Sequence, residues 1–170
     1  NKNSVTNITP RFTTKRMMDD YFNKFYCKLA DRHHLLLENN FHMAREIAAW
    51  KENMAAHWDK IEVLNISYDD LYQNVLSVGQ THKISVLLDT HDLNDKGLGI
   101  ELVAIRTSQH NNDKLYKVTP LDLVKVEGSQ LTFTTDYRLD YAGGMKFGLR
   151  MYPKNEMLPH RMDFCYVRWL

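Results

Sequence analysis

The sequence predicts a mainly β chain: an antiparallel, immunoglobulin-like β-sandwich preceded by an α-helical segment. Three observations predict it. Up to about residue 60, apolar side chains recur every three or four positions, the pattern of one buried helix face. From Ile61 onward they recur every second position, the pattern of a strand with one buried face. The alternating stretches are short, and turn residues rather than helical patterns separate them, as in a sandwich. The expected domains are residues 1–60, helical, and residues 61–170, the sandwich.

Asn1 to Pro10 is polar, with neither a basic n-region nor an apolar h-region. The simplest account is a piece of a longer protein that runs to that protein's C-terminus; a mature protein after signal cleavage is the alternative. The sequons Asn7-Ile-Thr9 and Asn65-Ile-Ser67 do not decide between them. Thr13 or Thr14 can cap the first helix. Behind it, Met18, Tyr21, Phe22, Phe25, Tyr26 and Leu29 form an unusually aromatic stripe, opposite Asp19, Asp20, Lys24 and Lys28. That stripe is expected to pack on the sandwich and to meet the rest of a parent protein. The pattern breaks at Asn39-Asn40. A second helix then carries Ala44, Ile47, Ala48, Met54, Ala55 and Trp58 on one face, as a hairpin partner or as the continuation of one kinked helix.

Strands are expected at Ile61–Tyr68, Thr81–Asp89, Leu98–Arg106, Lys114–Val118, Leu121–Glu127, Gln130–Tyr137, Lys146–Tyr152 and Met162–Trp169. In the seventh, Met145, Phe147, Leu149 and Met151 alternate with Lys146, Gly148, Arg150 and Tyr152. Turn signals such as Ser77-Val-Gly79, Asn94-Asp-Lys-Gly97, His110-Asn-Asn-Asp113 and Glu127-Gly-Ser129 separate these strands. Leu139-Asp-Tyr-Ala-Gly-Gly144 resembles a tyrosine-corner turn, in which Tyr141 would bond back to the backbone.

A chain of 170 residues can bury a sizeable core. Lys and Arg number 22 against 21 Asp and Glu, a formal charge of +1. Residues 1–60 hold ten basic and seven acidic residues; residues 61–170 hold twelve and fourteen. Neither half has the dense basic stripe that nucleic-acid binding needs, so no nucleic-acid partner is expected. The apolar runs are too short to span a bilayer, so no membrane partner is expected. Cys27 on a helix and Cys165 in a strand are read as free, buried thiols of a cytoplasmic protein.

Residues that could carry chemistry are scattered. His33, His34, His42 and His57 lie in the helical part, but no carboxylate or cysteine completes a recognised metal set. Asp69-Asp70, Asp89, Asp92, Asp95 and Asp113 lack EF-hand spacing, and polar turn chemistry explains them. Glu101, Glu127, Glu156 and Asp163 fall on different elements, so sequence pairs none of them as acid and base. Gly97-Leu-Gly99 and Gly143-Gly144 precede strands rather than helices, which argues turns and not phosphate loops. Ser85 and Ser129 lack a nucleophile elbow. Tyr68, Tyr72, Tyr116, Tyr137 and Tyr152 are candidates for a sugar-stacking platform, against the commoner role of strand aromatics in a core. No catalytic, cofactor-binding or metal residue is assigned, and substrate-binding residues are left unassigned.

Two segments resemble one family. Ile8-Thr-Pro-Arg-Phe-Thr-Thr-Lys-Arg-Met-Met-Asp-Asp-Tyr-Phe-Asn-Lys-Phe-Tyr26, with Arg45-Glu-Ile-Ala-Ala-Trp-Lys51 and Ala56-His-Trp-Asp59, resembles the end of the catalytic region of bacterial α-glucan phosphorylases. Arg150-Met-Tyr-Pro-Lys-Asn155, Leu158-Pro-His-Arg161 and Asp163-Phe-Cys-Tyr-Val-Arg-Trp169 resemble their C-terminal sandwich. The resemblance implies a parent glycosyltransferase that uses pyridoxal phosphate to split α-1,4-glucan with inorganic phosphate, releasing glucose 1-phosphate. Its catalytic region would have two Rossmann-like lobes. No glycine-rich phosphate loop and no lysine in a recognisable cofactor context occur here, so no catalytic residue is carried over and this chain alone is expected to be inactive. The implied role is a C-terminal accessory scaffold whose partner is the catalytic lobes. A carbohydrate-binding module for α-glucan ranks second and an independent enzyme third. Homo-oligomerisation is left open.

Overall fold

A computed structural model describes residues 13–68, 78–93, 97–107 and 113–170. The chain divides into two compact units, Asn1–Ala49 and Trp50–Leu170.

In the first unit, helix α1 (Thr14–Tyr21) starts at Thr13, whose Oγ1 accepts the Arg16 N–H at 3.3 Å, as the capping reading requires. One π turn, Phe22–Tyr26, then joins it to α2 (Cys27–His57). The helical backbone of α2 is kinked at Glu38–Phe41, where Asn39, Asn40 and Phe41 take left-handed φ of 49°, 55° and 59°. Asparagine tolerates that region better than other non-glycine residues, so Asn39-Asn40 act as a break. The aromatic stripe is exposed: Tyr21, Phe22, Phe25 and Tyr26 each keep about half or more of their surface.

The second unit begins with the last turns of α2 and a 3₁₀ turn at Trp58–Lys60. Seven strands follow: β1 (Glu62–Tyr68), β2 (Thr81–Asp89), β3 (Leu98–Arg106), β4 (Lys114–Glu127), β5 (Gln130–Arg138), β6 (Met145–Pro153) and β7 (Arg168–Trp169). They form one sheet in the order β1-β2-β5-β4-β3-β6-β7, and every pair is antiparallel. The chain is therefore mainly β with N-terminal helices, as the periodicity predicts.

The sheet curls through β4, which the sequence divides in two at Pro120. Lys114 to Leu121 pairs with β3, and Asp122 to Glu127 pairs with β5. Proline has no N–H to give a ladder, so it suits the place where the strand changes partner. Every second residue of β2 (Ile84, Val86, Leu88), β3 (Ile100, Leu102, Ala104) and β6 (Leu149, Met151) points into one core with Phe133 and Tyr137 of β5. Met54, Trp58 and Ile61 join that core from the end of α2 and the turn after it. The β4–β5 hairpin turns on Gly128, whose φ of +60° a side chain would strain. Gly99 is needed for a different reason: a Cβ there would lie 2.5 Å from Cζ of Tyr152 on β6.

The end of the chain differs from expectation. Only Arg168–Trp169 of the stretch Met162–Trp169 is strand; Arg161–Asp163 is a 3₁₀ turn and the residues between are irregular. Local bonds take up the backbone there, Phe164 N–H to the Arg161 carbonyl at 3.4 Å and Tyr166 N–H to the Phe164 carbonyl at 3.0 Å. Its aromatic residues pack on the helix end rather than alternating across a sheet: Phe164 lies 5.4 Å from Trp50, and Tyr166 lies 5.5 Å from Trp58, ring centre to ring centre. Cys165 is accordingly exposed, not buried in a strand, and its Sγ donates to the Met162 carbonyl at 2.6 Å. Both cysteines are free.

Candidate functional site

Glu101 is the acidic residue buried in the described part of the sheet, and its register decides what it meets. It lies on β3 directly opposite Arg150 of β6, so cross-strand pairing brings their side chains together. Arg150 Nε donates to Glu101 Oε1. A second guanidinium arrives from the loop after β6. Asn155 shapes that loop by accepting the Met157 N–H at 2.8 Å, and His160 Nδ1 accepts the Met162 N–H at 3.0 Å. Between these two turns Arg161 reaches back, and its Nη1 donates to both Glu101 oxygens at 3.0 and 3.1 Å. Arg161 also lies over the Tyr152 ring at 5.3 Å, and Arg150 lies over Trp169 at 5.9 Å. Burial, reinforced by the Glu101 charge, pushes the Tyr152 phenol above its usual pKa.

This cluster borders a cavity of about 220 Å³, closed on its other side by Met162, Cys165 and Tyr166. Glu101 is spent on two cations, and among the described residues lining this cavity it has no second carboxylate beside it, so it is not arranged as one half of an acid–base pair. Of the other carboxylates considered, Glu127 pairs with Lys125 at 2.9 Å, and the Asp163 backbone carbonyl accepts Lys51 Nζ at 2.9 Å. Glu156 is exposed and lines a wider cleft of about 380 Å³ with Tyr152, Lys154, Asp122 and Pro120, where β4 changes partner.

The candidate sugar platform does not assemble as one plane. Tyr137 is core, 1% exposed, and burial pushes its phenol upward. Tyr68 and Tyr116 pack against the core, and Tyr72 lies outside the described residues. Tyr116 instead joins Tyr141 around a guanidinium. The two rings are inclined by 39°, and Arg106 Cζ sits 4.0 Å from each ring centre. Tyr116 donates its hydroxyl to Asp140 at 2.7 Å, the first cause of the lowered Asp140 pKa. The tyrosine-corner hydrogen bond expected of Tyr141 is not among those of the described residues.

The remaining expectations fall in separate places. His57 Nδ1 bonds the Asn53 carbonyl at 2.8 Å, His42 meets Glu46 at 3.3 Å, and the His33 and His34 rings lie 6.2 Å apart. Asp89 accepts the His91 N–H at 2.8 Å, which lowers its pKa, and Asp113 pairs with Lys146 at 2.9 Å. Asp69, Asp70 and Asp95 lie outside the described residues. Among the described residues no three His, Cys, Asp or Glu side chains converge to hold a metal. No described helix is long and apolar enough to cross a membrane. Sequence reasoning named Glu101 but missed Arg150 and Arg161 as its partners. Strand register and a loop eleven residues beyond bring them in, and local periodicity encodes neither.

Fold and site together define a helix-led, curled antiparallel β domain whose buried charge ties β6 and the turn at Arg161 to β3. The chain belongs to the glycogen phosphorylase C-terminal domain family, whose model matches residues 58–170. It is also 25% identical over 178 residues to the maltodextrin phosphorylase of Thermococcus litoralis. That alignment covers 99% of this chain and 20% of the relative, so the chain spans about a fifth of that protein's length.

Proposed function

We propose that this chain is the non-catalytic C-terminal part of an α-glucan phosphorylase and acts as a structural and interaction scaffold for that enzyme's catalytic lobes. The parent would cleave α-1,4-glucan with inorganic phosphate to glucose 1-phosphate, in the cytoplasm, with pyridoxal phosphate bound by the lobes. The observation that carries the reading is the Glu101 cluster: the buried carboxylate is neutralised by Arg150 and Arg161 and holds β3, β6 and the tail together. A catalytic carboxylate is aimed at a substrate group, whereas both oxygens of this one are engaged by guanidiniums.

Pyridoxal phosphate does not fit the described residues. Its aldehyde needs a lysine sheltered from water, and every described lysine is exposed except half-buried Lys51. Lys51 Nζ donates instead to the Asp163 carbonyl at 2.9 Å.

A second reading, a carbohydrate-binding module for α-glucan, draws support from the cleft of about 380 Å³. There Tyr152 stands beside Asp122, Lys154 and Glu156, an aromatic with hydrogen-bonding groups around it. Titrating the chain with maltoheptaose while following tryptophan fluorescence and amide chemical shifts separates the two. The scaffold reading expects no saturable change at millimolar ligand. Saturable binding lost in Tyr152→Ala replaces it with the module. An immunoglobulin-like arrangement of the curled sheet, and assembly into a homo-oligomer, belong to the same proposal.

A further inference from the structure

We infer that the end of the sheet where β4 parts from β5 is a phosphate-binding site, with Arg106 and Lys117 as its cations. β4 pairs with β5 only from Asp122 to Glu127, and on the other side of Pro120 it pairs with β3. Residues 135–138 of β5 continue along β2. No ladder joins them to residues 114–119 of β4 among the described residues, so side chains rather than backbone bonds meet in this fork.

Three polar atoms there are sealed from solvent and have no hydrogen-bond partner among the described residues: the Tyr137 hydroxyl, Thr119 Oγ1 and Arg106 Nε. Native folds leave few such groups, and each calls for a water, an ion or a ligand. Tyr137 is 1% exposed, and Lys117 holds its Nζ 5.5 Å from the centre of that ring. Arg106 lies between Tyr116 and Tyr141, 4.0 Å from each ring centre. Stacking fixes the plane of its guanidinium without using its N–H groups. Asp140 ties these residues into one place. It accepts the Tyr116 hydroxyl at 2.7 Å, and after that bond the Lys117 and Arg106 charges also hold its carboxyl down. Burial first, then the Asp140 and Tyr116 charges, push the Tyr137 phenol up.

Charge and donor type set the class of ligand. Two cations share one carboxylate, which the Tyr116 hydroxyl already engages, so the fork carries an excess of positive charge. Guanidinium, ammonium and hydroxyl groups all donate to an anion. They arrive from β3, β4 and β5, so an anion with tetrahedral oxygens reaches more of them than a planar carboxylate does. The group above Tyr137 is an exposed, flexible lysine, so an anion drawn to that ammonium meets the phenol as the side chain moves. The ligand class is therefore a phosphate, free or carried as a monoester.

Titrating the 170-residue chain with sodium phosphate at constant ionic strength, followed by amide and arginine Nε–H resonances, tests the site. Saturable shifts are expected at Arg106, Lys117, Thr119 and Tyr137. Affinity should fall several-fold in Lys117→Met and stay unchanged in Lys125→Met, farther along β4. Arg106→Gln should abolish the shifts. That change also empties the space between Tyr116 and Tyr141, so Lys117→Met, at an exposed position, decides the matter if Arg106→Gln does not fold. Glucose 1-phosphate separates the two sources: tighter binding than phosphate assigns a monoester, and equal or weaker binding assigns free phosphate. Absence of saturable shifts at millimolar phosphate, shifts that survive Lys117→Met, or equal binding of acetate would each overturn the site. Such a failure leaves the scaffold reading standing, because that reading rests on Glu101, Arg150 and Arg161.

Discussion

Glu101 keeps 6% of its side chain exposed between two guanidiniums, so neutralising it would leave Arg150 and Arg161 facing each other without a counter-ion. Glu101→Gln should cost about 2–3 kcal/mol in urea unfolding. That is below the ~3–5 kcal/mol of a fully buried broken pair, because Arg161 is about half exposed and water screens it. An unchanged midpoint would show that the cluster does not hold the tail. Asp140 gives a pH-dependent case. The Tyr116 hydroxyl bond is the first cause that holds its carboxyl below the reference value of 3.8. A lowered folded-state pKa stabilises the fold above the unfolded-state value, and that stability is lost as pH falls through the folded-state value. Tyr116→Phe should therefore move the Asp140 carboxyl resonance titration up toward 3.8 and shrink the stability lost in acid. At this scale the sequence identifies which residues are polar and where alternation places them. It does not reveal that Arg106 would lie between Tyr116 and Tyr141, because that depends on three elements meeting.

Element by element, strong periodicity was legible and partner changes were not. Thr81–Asp89 and Leu98–Arg106 are strands over the very residues whose alternation predicts them. The same rule divides β4 at Pro120, because a proline ends a ladder locally; the fold uses it as the hinge between two pairings. At the C-terminus, Met162–Trp169 has strand-like composition, yet Phe164 and Tyr166 make ring contacts with Trp50 and Trp58 instead of alternating in a ladder. That contact makes the end of α2 part of the β unit. Trp58 is 4% exposed within the core, so Trp58→Ala should destabilise the chain by about 3–5 kcal/mol, the range for a buried aromatic truncation. Thermal unfolding followed by far-UV circular dichroism checks it, and a loss within error would remove Trp58 from the core.

For the molecule as a whole, the sequence conveys the order helix then sheet, the antiparallel strands and the family resemblance. It does not convey the joining of all seven strands into one curled sheet, because that joining is set by the long-range registers through β4. The central claim is that this chain supports a phosphorylase without performing its reaction. The most direct test supplies the purified chain with pyridoxal phosphate, maltoheptaose and inorganic phosphate, and follows both the cofactor absorbance band and glucose 1-phosphate. The account predicts no bound-cofactor band and no glucose 1-phosphate above the protein-free control; a stable band with sustained release of glucose 1-phosphate would contradict it.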